Sequence, residues 1–561
     1  MAKHLAAAQP GVHNAREYKF TKDQKANLQK ISDRMTKIST DVPTTFEEAA
    51  QLVFSIHCCL HLIGESTSIG RLDQMLEPFR GQIPDDEAQE IIDCFFVKLG
   101  ERVCVNKTTL VDRNTWGTCA VPFRSDGMFP NGDTINQWVQ QVTIGGYKSR
   151  DKQTSACNKV TLMCLKAAKR LPLNAPCVSL RVHHGMDKVY LEESAKSLLS
   201  GGAHPIILQD DRFVEGLVDV LKTYKSKIED GELEQMNDIA CDGCFEVLIA
   251  GSTEFSFAYI PLPHVLEMAI NQGSTYSSAG PAYLNGTPQS LPSKHPSEIE
   301  TFQEVLDLFK EHFEIKTQQA LFGLLSNYGN LASVCPSPFL STLIEGCLES
   351  KRDLTNGGAK YKMISVMHIG FSNAVDSLYA IKRLCFDQDN AMLSLSEMVT
   401  CLKNDWGYDV HEPTYDRAAG QIRKERKTDV YQHVRDEALK FPKFGTKEAA
   451  NEPAIVAIAD FLANCAANTL KKLTSTEKES GSPLALLLKR LEAKYTKGKH
   501  KFEILFTPGA GTFEGYVGWG QSCGASADGR RRGNPIASDM SAAPSPQDLP
   551  PIPGHTTELY T

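Results

Sequence analysis

Long apolar runs are missing from this chain of 561 residues: none is seen at the ~20 residues that cross a bilayer, and the opening MAKHLAAAQPG has no secretory apolar core. No membrane partner is therefore expected, and the expected compartment is the cytoplasm. A compact disulfide framework is missing too, because the 16 cysteines are scattered along the whole length, which fits a reducing environment and buried, unreactive thiols. Missing as well is any basic run long enough to follow a phosphate backbone. Sixty Lys and Arg against 68 Asp and Glu leave a net charge of -8, so nucleic acid drops out as a partner. The densest basic cluster, Arg530 to Arg532 beside Asp528, reads as a solvated or ion-paired loop. No repeat of solenoid period and no central linker interrupts the chain.

What is there is ordinary globular composition, 41% hydrophobic and 23% charged, in a chain long enough for a large core. Thr44 and Thr45 each stand three residues before a glutamate, Glu47 and Glu48, so either can open a helix through a capping box. Ala49, Ala50, Val53, Ile56 and Leu60 then recur at helical spacing, with Gly64 as a stop. Similar patterns predict helices around 86–99, 187–199, 302–325, 373–385 and 394–404, the last capped by Ser394 with Glu397. Strand-like runs lie between them at Cys177 to Val182, Pro205 to Leu208, Phe245 to Ala250 and Phe502 to Phe506. Strands separated by helices argue for parallel pairing in one main α/β domain, as a barrel or an open sheet. Gly273 to Pro296 and Thr474 to Pro483 read as loops, and the proline-rich tail from Ala542 as irregular.

The most informative segment is DIACDGCFEVLIAGSTEFSFAY, Asp238 to Tyr259. Cys241 and Cys244 form a CxxC pair, but a structural zinc site needs about four ligands and no second pair follows. A thioredoxin-type role fits poorly, since the pair precedes a strand-like run and does not open a helix that would lower a thiol pKa. Cys244 and Glu246 read together as CxE are different. Residues two apart in an extended backbone project to one side, so a thiol and a carboxylate there can address one bound molecule, the sulfur at a carbon centre and the carboxylate as general base. Against this stands the plain alternative of a core cysteine beside an exposed or ion-paired glutamate.

GCFE resembles the active-site GCxE of glycyl radical enzymes of the dehydratase and eliminase type, and other segments follow in that family's order. TFEEAAQL and GRLDQML come first, at Thr45 to Leu52 and Gly70 to Leu76, then VTIGGYKSRDKQTSACNKVT with Gly145, Gly146 and Asn158. PCVSLRVHHG at Pro176 to Gly185 and GGAHPIILQDD at Gly201 to Asp211 precede the cysteine segment. GFSNAVDSLYAIKRLCF, FPKFG and GASADGRRRGNPIASDMSAAPSP follow it. The resemblance implies a ten-stranded α/β barrel of two five-stranded parallel halves surrounded by helices, spanning residues 25–546, with a 1–24 extension and an irregular 547–561 tail.

It also implies a mechanism. A glycyl radical, installed by a separate S-adenosylmethionine iron-sulfur activase, would make a thiyl radical at Cys244 that takes hydrogen from a small polar organic substrate, with Glu246 as base. No tightly bound cofactor or metal is implied. Pyruvate formate-lyase is similar to this family but uses adjacent cysteines; here Gly243 and Phe245 flank Cys244, which favours C–O or C–N elimination over acyl transfer. Asp73, Arg71, Asp210 and His204 are expected to bind substrate or to support the residues that do, with Asp73 and Asp210 as candidate buried ion-pair partners, Asp73 for its neighbour Arg71. His204 is a candidate proton donor or a satisfied buried histidine. The family's radical-bearing RVxGY pattern is not found, and FEGYVGWG, with Gly515, reads as structural. The expectations are therefore a radical glycine supplied from outside this chain, a relative that binds a small molecule or protein without turnover, or a redox or metal protein using Cys241 and Cys244. A homodimer is the family's usual state.

Overall fold

The computed structural model describes residues 20–63, 65, 67–100, 140–171, 176–200, 204–225, 227–242, 246–276, 288–389, 391–408, 428–474, 482–496, 503–511, 519–520, 522–532, 534–537 and 540–543. Eleven strands lie among them: β1 Gly70–Arg71, β2 Val142–Gly145, β3 Tyr147–Lys148, β4 Asp151–Ser155, β5 Val178–Val182, β6 Ile206–Gln209, β7 Ile239–Asp242, β8 Glu246–Ile249, β9 Thr253–Pro261, β10 Tyr361–Ile369 and β11 Leu505–Gly509. A four-stranded parallel sheet runs β1-β2-β5-β6, and a three-stranded parallel sheet runs β11-β10-β9. The pairs β3-β4 and β7-β8 are antiparallel.

Each parallel sheet is covered by helices on its outer face, as crossover connections require. Phe46–Leu62, Asp85–Gly100 and Lys159–Arg170 pack Phe46, Ile92, Phe96 and Leu165 against Val142, Ile144, Val178 and Leu180. Leu262–Ile270, Phe302–Ser326, Phe371–Ile381 and Pro453–Thr474 cover the second sheet, where Ala258, Ile260, Ile364 and Val366 face the largest apolar core. Pro453–Thr474 is long and apolar enough to cross a membrane by composition, yet it sinks Ile455, Ile458, Leu462 and Leu470 into that core. It corrects the reading that no run of that kind is present.

The capping signals are used. Thr45 accepts from the Glu48 amide at 3.3 Å while the Glu48 carboxylate accepts from the Thr44 amide at 2.8 Å, so both threonines serve one helix start. Ser394 and Glu397 close a reciprocal capping box on Leu395–Lys403. Other expectations are corrected. The helix expected over 373–385 changes after Ile381 into a wider π-type turn, Lys382–Phe386. The last strand begins at Leu505. The run at Phe245 to Ala250 contributes Glu246–Ile249, which pairs antiparallel with β7 and joins neither parallel sheet. Arg530, Arg531 and Arg532 are buried and not solvated: Arg530 donates to Asn534 O at 2.8 Å and to Ser526 Oγ at 3.1 Å. Arg531 lies 3.7 Å from Asp405 and over the Tyr408 ring.

Candidate active site

The antiparallel pair β7-β8 is the unit to which the sequence motifs converge. Its register sets Ile239 opposite Ile249, Cys241 opposite Val247 and Asp242 opposite Glu246. Gly243, Cys244 and Phe245 lie outside the described residues, as does Gly515; the two strands that flank Cys244 in sequence are described. Because alternate residues share a face, Ala240, Asp242, Glu246 and Leu248 lie on one side of the hairpin.

Two buried arginines bolt β7 to the first sheet. Arg181, on β5, spends its fork on the hairpin's backbone, donating from Nη1 to Ile239 O at 2.9 Å and from Nη2 to Asn237 O at 2.8 Å. Its Nε donates to Asp210 Oδ1 at 2.6 Å, so the charge is paired where it is buried. Arg71 pairs with Asp238 at 3.1 Å and donates to Gly145 O and Tyr147 O at 3.1 and 2.7 Å. The Cys241 amide donates to Thr143 Oγ1 at 3.2 Å, and Ser68 Oγ donates to Asp242.

This network explains the double glycine. Gly145 and Gly146 both hold positive φ, and a Cβ on Gly146 would sit 2.7 Å from the Arg181 guanidinium and 2.9 Å from Asp210. A Cβ on Gly145 would sit 2.8 Å from Arg181 O. Glycine at 146 leaves room for the Arg181–Asp210 pair, and glycine at 145 lets this turn lie against the β5 backbone.

The structure gathers three of the residues singled out by sequence and separates a fourth. Arg71, Asp73 and Asp210 surround the Gly145–Tyr147 turn. Of the two candidate ion-pair partners Asp210 meets Arg181, whereas Asp73 feels the Arg71 charge without direct contact: Arg71 pairs with Asp238, and Asp73 accepts from the Gly145 amide at 2.8 Å and Thr161 Oγ1 at 2.6 Å. Burial pushes the Asp73 carboxyl up, against those hydrogen bonds. Asp210 accepts from Arg181 and from the Tyr147 amide at 3.0 Å. His204 stands at the other end of the sheet, its Nδ1 3.5 Å from the Val178 amide and 3.9 Å from Cys177 Sγ. Four residues of strand, roughly 10–13 Å, separate Val178 from Val182 at the hairpin end. Glu246 is buried at the start of β8, and its charge is felt by Cys241.

Cys241 is fully buried, and burial first, then the Glu246 carboxylate, push its thiol up. A thiol held that way is the reverse of a redox cysteine. Among the described residues no group of three or more His, Cys, Asp or Glu side chains is placed to hold a metal ion. A cavity of about 910 Å³ opens on the hairpin and reaches the second sheet, its wall including Arg71, Asp238, Asp242, Leu248, Phe255 and Met363. Sequence reasoning missed Arg181, Asp238, Ser68 and Asp242. The signal for Arg181 was present, a single charge inside the apolar run VSLRV.

Comparison with known proteins fits this geometry. The family described as pyruvate formate lyase-like matches residues 7–481. Among curated proteins, the chain is 28% identical over 416 residues to (2S)-3-sulfopropanediol dehydratase of Klebsiella oxytoca, covering 72% of this chain and 46% of that protein. It is 23% identical to trans-4-hydroxy-L-proline dehydratase of Clostridioides difficile, covering 65% and 43%. The chain thus spans about half the length of the curated relatives it matches. Among solved structures, a glycerol-bound glycerol dehydratase of Clostridium butyricum superposes with a TM-score of 0.68 at 23% identity, over 97% of this chain and 57% of that one. A glycyl radical enzyme of Archaeoglobus fulgidus gives 0.66 at 21%, over 97% and 58%. The fold is the α/β barrel of those enzymes.

Proposed function

The chain belongs to the pyruvate formate lyase-like family, and from that premise we propose that it is the core of a glycyl radical dehydratase in which Cys244 is the thiyl position and Glu246 the base. The observation that carries the reading is the hairpin: an antiparallel pair bolted by two buried arginines, with Glu246 buried at its end and a cavity along its face. A radical carbon or sulfur must be kept from water and oxygen, and a carboxylate held in a fixed place beside the reacting carbon takes a hydroxyl proton without reorganisation. Rigid anchoring of β7 supplies that fixity.

The substrate class proposed is a small polar molecule with adjacent hydroxyls, as for two of the proteins to which the chain is similar, the sulfopropanediol and glycerol dehydratases. The radical would come from a glycyl residue generated by a separate activase. The test is anaerobic turnover of glycerol and 1,2-propanediol with activase and a glycine-bearing partner present. Cys244→Ala is expected to abolish product, and Glu246→Gln to lower kcat by about 10²-fold or more. Product formation retained in Cys244→Ala would overturn the assignment. Diol binding by the wild type with no turnover under these conditions would instead mark a binding relative.

A further inference from the structure

We infer that Asp242 is a second catalytic carboxyl of this site, the acid that protonates the departing hydroxyl while Glu246 takes the proton of the neighbouring one; this rests on the reading above. The strand register is the first ground. Asp242 lies directly opposite Glu246, on the same face of the hairpin, with Cα atoms of such a pair roughly 4.5–5.5 Å apart. The second ground is position: Asp242 lines the cavity of about 910 Å³ and keeps part of its surface accessible. The third is its surroundings. Its carboxyl accepts from the Ser68 hydroxyl and backbone amide, whereas the cations nearby are engaged elsewhere, Arg71 by Asp238 and Lys362 by Ala359 O at 2.9 Å. Burial pushes the carboxyl up to about 6, so it gives and regains a proton near neutrality. A carboxyl able to hold a proton near neutrality, facing a second carboxyl, is an arrangement suited to elimination.

The step balances. The C1–H hydrogen atom passes to the Cys244 thiyl sulfur, forming S–H, and the C1 hydroxyl proton passes to the Glu246 carboxylate. The C2–O bond breaks, the oxygen takes the Asp242 proton and leaves as water, and the carbon radical recovers the hydrogen atom from the thiol to give an aldehyde. Glu246 has then gained the proton that Asp242 has lost, and their facing positions let it return. The substrate class narrows accordingly. A group such as sulfite departs as a stable anion without a proton, whereas hydroxide does not, so Asp242 suits loss of water from a vicinal diol.

The groups facing Asp242 are Glu246 across the hairpin, Cys241 beside it, and His57, Glu65, Arg71, Asp238, Glu254 and Lys362 around the cavity. Two measurements test the inference. Carbon NMR of carboxyl-labelled aspartate, assigned by the signal lost in Asp242→Asn, should show Asp242 titrating near 6 and higher in Ser68→Ala, since the lost hydroxyl stabilised the charged form. Titration in the ordinary carboxylate range, about 4, overturns it. With activase, glycine donor and glycerol, folded Asp242→Asn should lose about 10²-fold in kcat and lose the fall in rate above the acid's pKa. If the wild type turns over glycerol and Asp242→Asn matches its kcat and pH profile, the inference alone fails. If the wild type turns over no diol, the underlying reading fails, and the inference with it.

Discussion

The first sheet and the second differ in how their strands and helices hold buried acids. In the first, charge is carried inside and paired: Arg181 with Asp210, both essentially inaccessible, and Arg71 with Asp238. Around the second, three buried acids take their hydrogen bonds from neutral donors, with Lys443, His264 and Lys362 acting on them as nearby cations. Asp376 accepts from the Phe444 amide at 2.8 Å, Glu267 from the Gly524 and Tyr276 amides at 2.8 and 3.0 Å, and Glu254 from the Tyr328 hydroxyl at 2.7 Å. Burial pushes Asp376 and Glu254 up to about 7. The reason lies in what each sheet holds. A guanidinium fork reaches two backbone carbonyls of a hairpin at once, which an apolar side chain cannot do, so the sheet that positions β7 accepts the desolvation of two arginines. The second sheet has only to be covered, and apolar packing does that.

Breaking the charged region should cost most. Arg181→Ala leaves Asp210 buried without its cation and frees the Asn237 and Ile239 carbonyls, for an expected loss of about 3–5 kcal/mol. Arg181→Lys keeps the charge but not the fork, and should recover only part of it. Urea unfolding of the three proteins measures both. If Arg181→Ala unfolds with the wild-type midpoint, the hairpin is not held as described.

The second prediction uses pH to separate the regions. Asp376 has a raised folded value, about 7, against an unfolded value of 3.8, so the folded state binds the extra proton between them. Its contribution is therefore favourable at low pH and is lost as pH rises through 7, at up to ~1.4 kcal/mol per pH unit. Asp376→Asn keeps an oxygen for the Phe444 amide and removes the titration. It should be close to neutral at pH 4 and stabilising at pH 8; equal effects at both would show that Asp376 is an ordinary carboxylate. Such a substitution in the first sheet, Asp210→Asn, should destabilise at pH 8 by removing the charge that Arg181 needs.

The same contrast explains what could be seen in the sequence. Helices starting at Thr45 and Ser394 were legible because caps and the 3.6-residue period are local. The motif order gave the family and, through it, the barrel. The two longest strands escaped: β9 and β10, nine residues each, read TEFSFAYIP and YKMISVMHI, with polar residues on an inner face and no clean alternation. The antiparallel pairing of Glu246–Ile249 escaped because the partner run, Ile239–Asp242, is only four residues long. Partners of the buried charges were least legible. Arg71 stands two residues from Asp73 but meets Asp238, 167 residues away, since only the assembled sheet sets them side by side.

The smallest effect is expected where the comparison is sharpest, deep in the apolar half. Ile381 ends the helix Phe371–Ile381 and is fully buried in the core that covers β9 and β10. Ile381→Val removes one methylene from that core and touches no hydrogen bond, so the loss should be about 1 kcal/mol, the transfer term plus a small cavity. Thermal unfolding measures it. Because the hairpin is anchored from the first sheet, turnover of glycerol should be unchanged, whereas Arg181→Lys should lower it even where its stability loss is no larger. If Ile381→Val lowers kcat as much as Arg181→Lys does, the second sheet also sets the geometry of Glu246, and the division of labour between the two sheets fails.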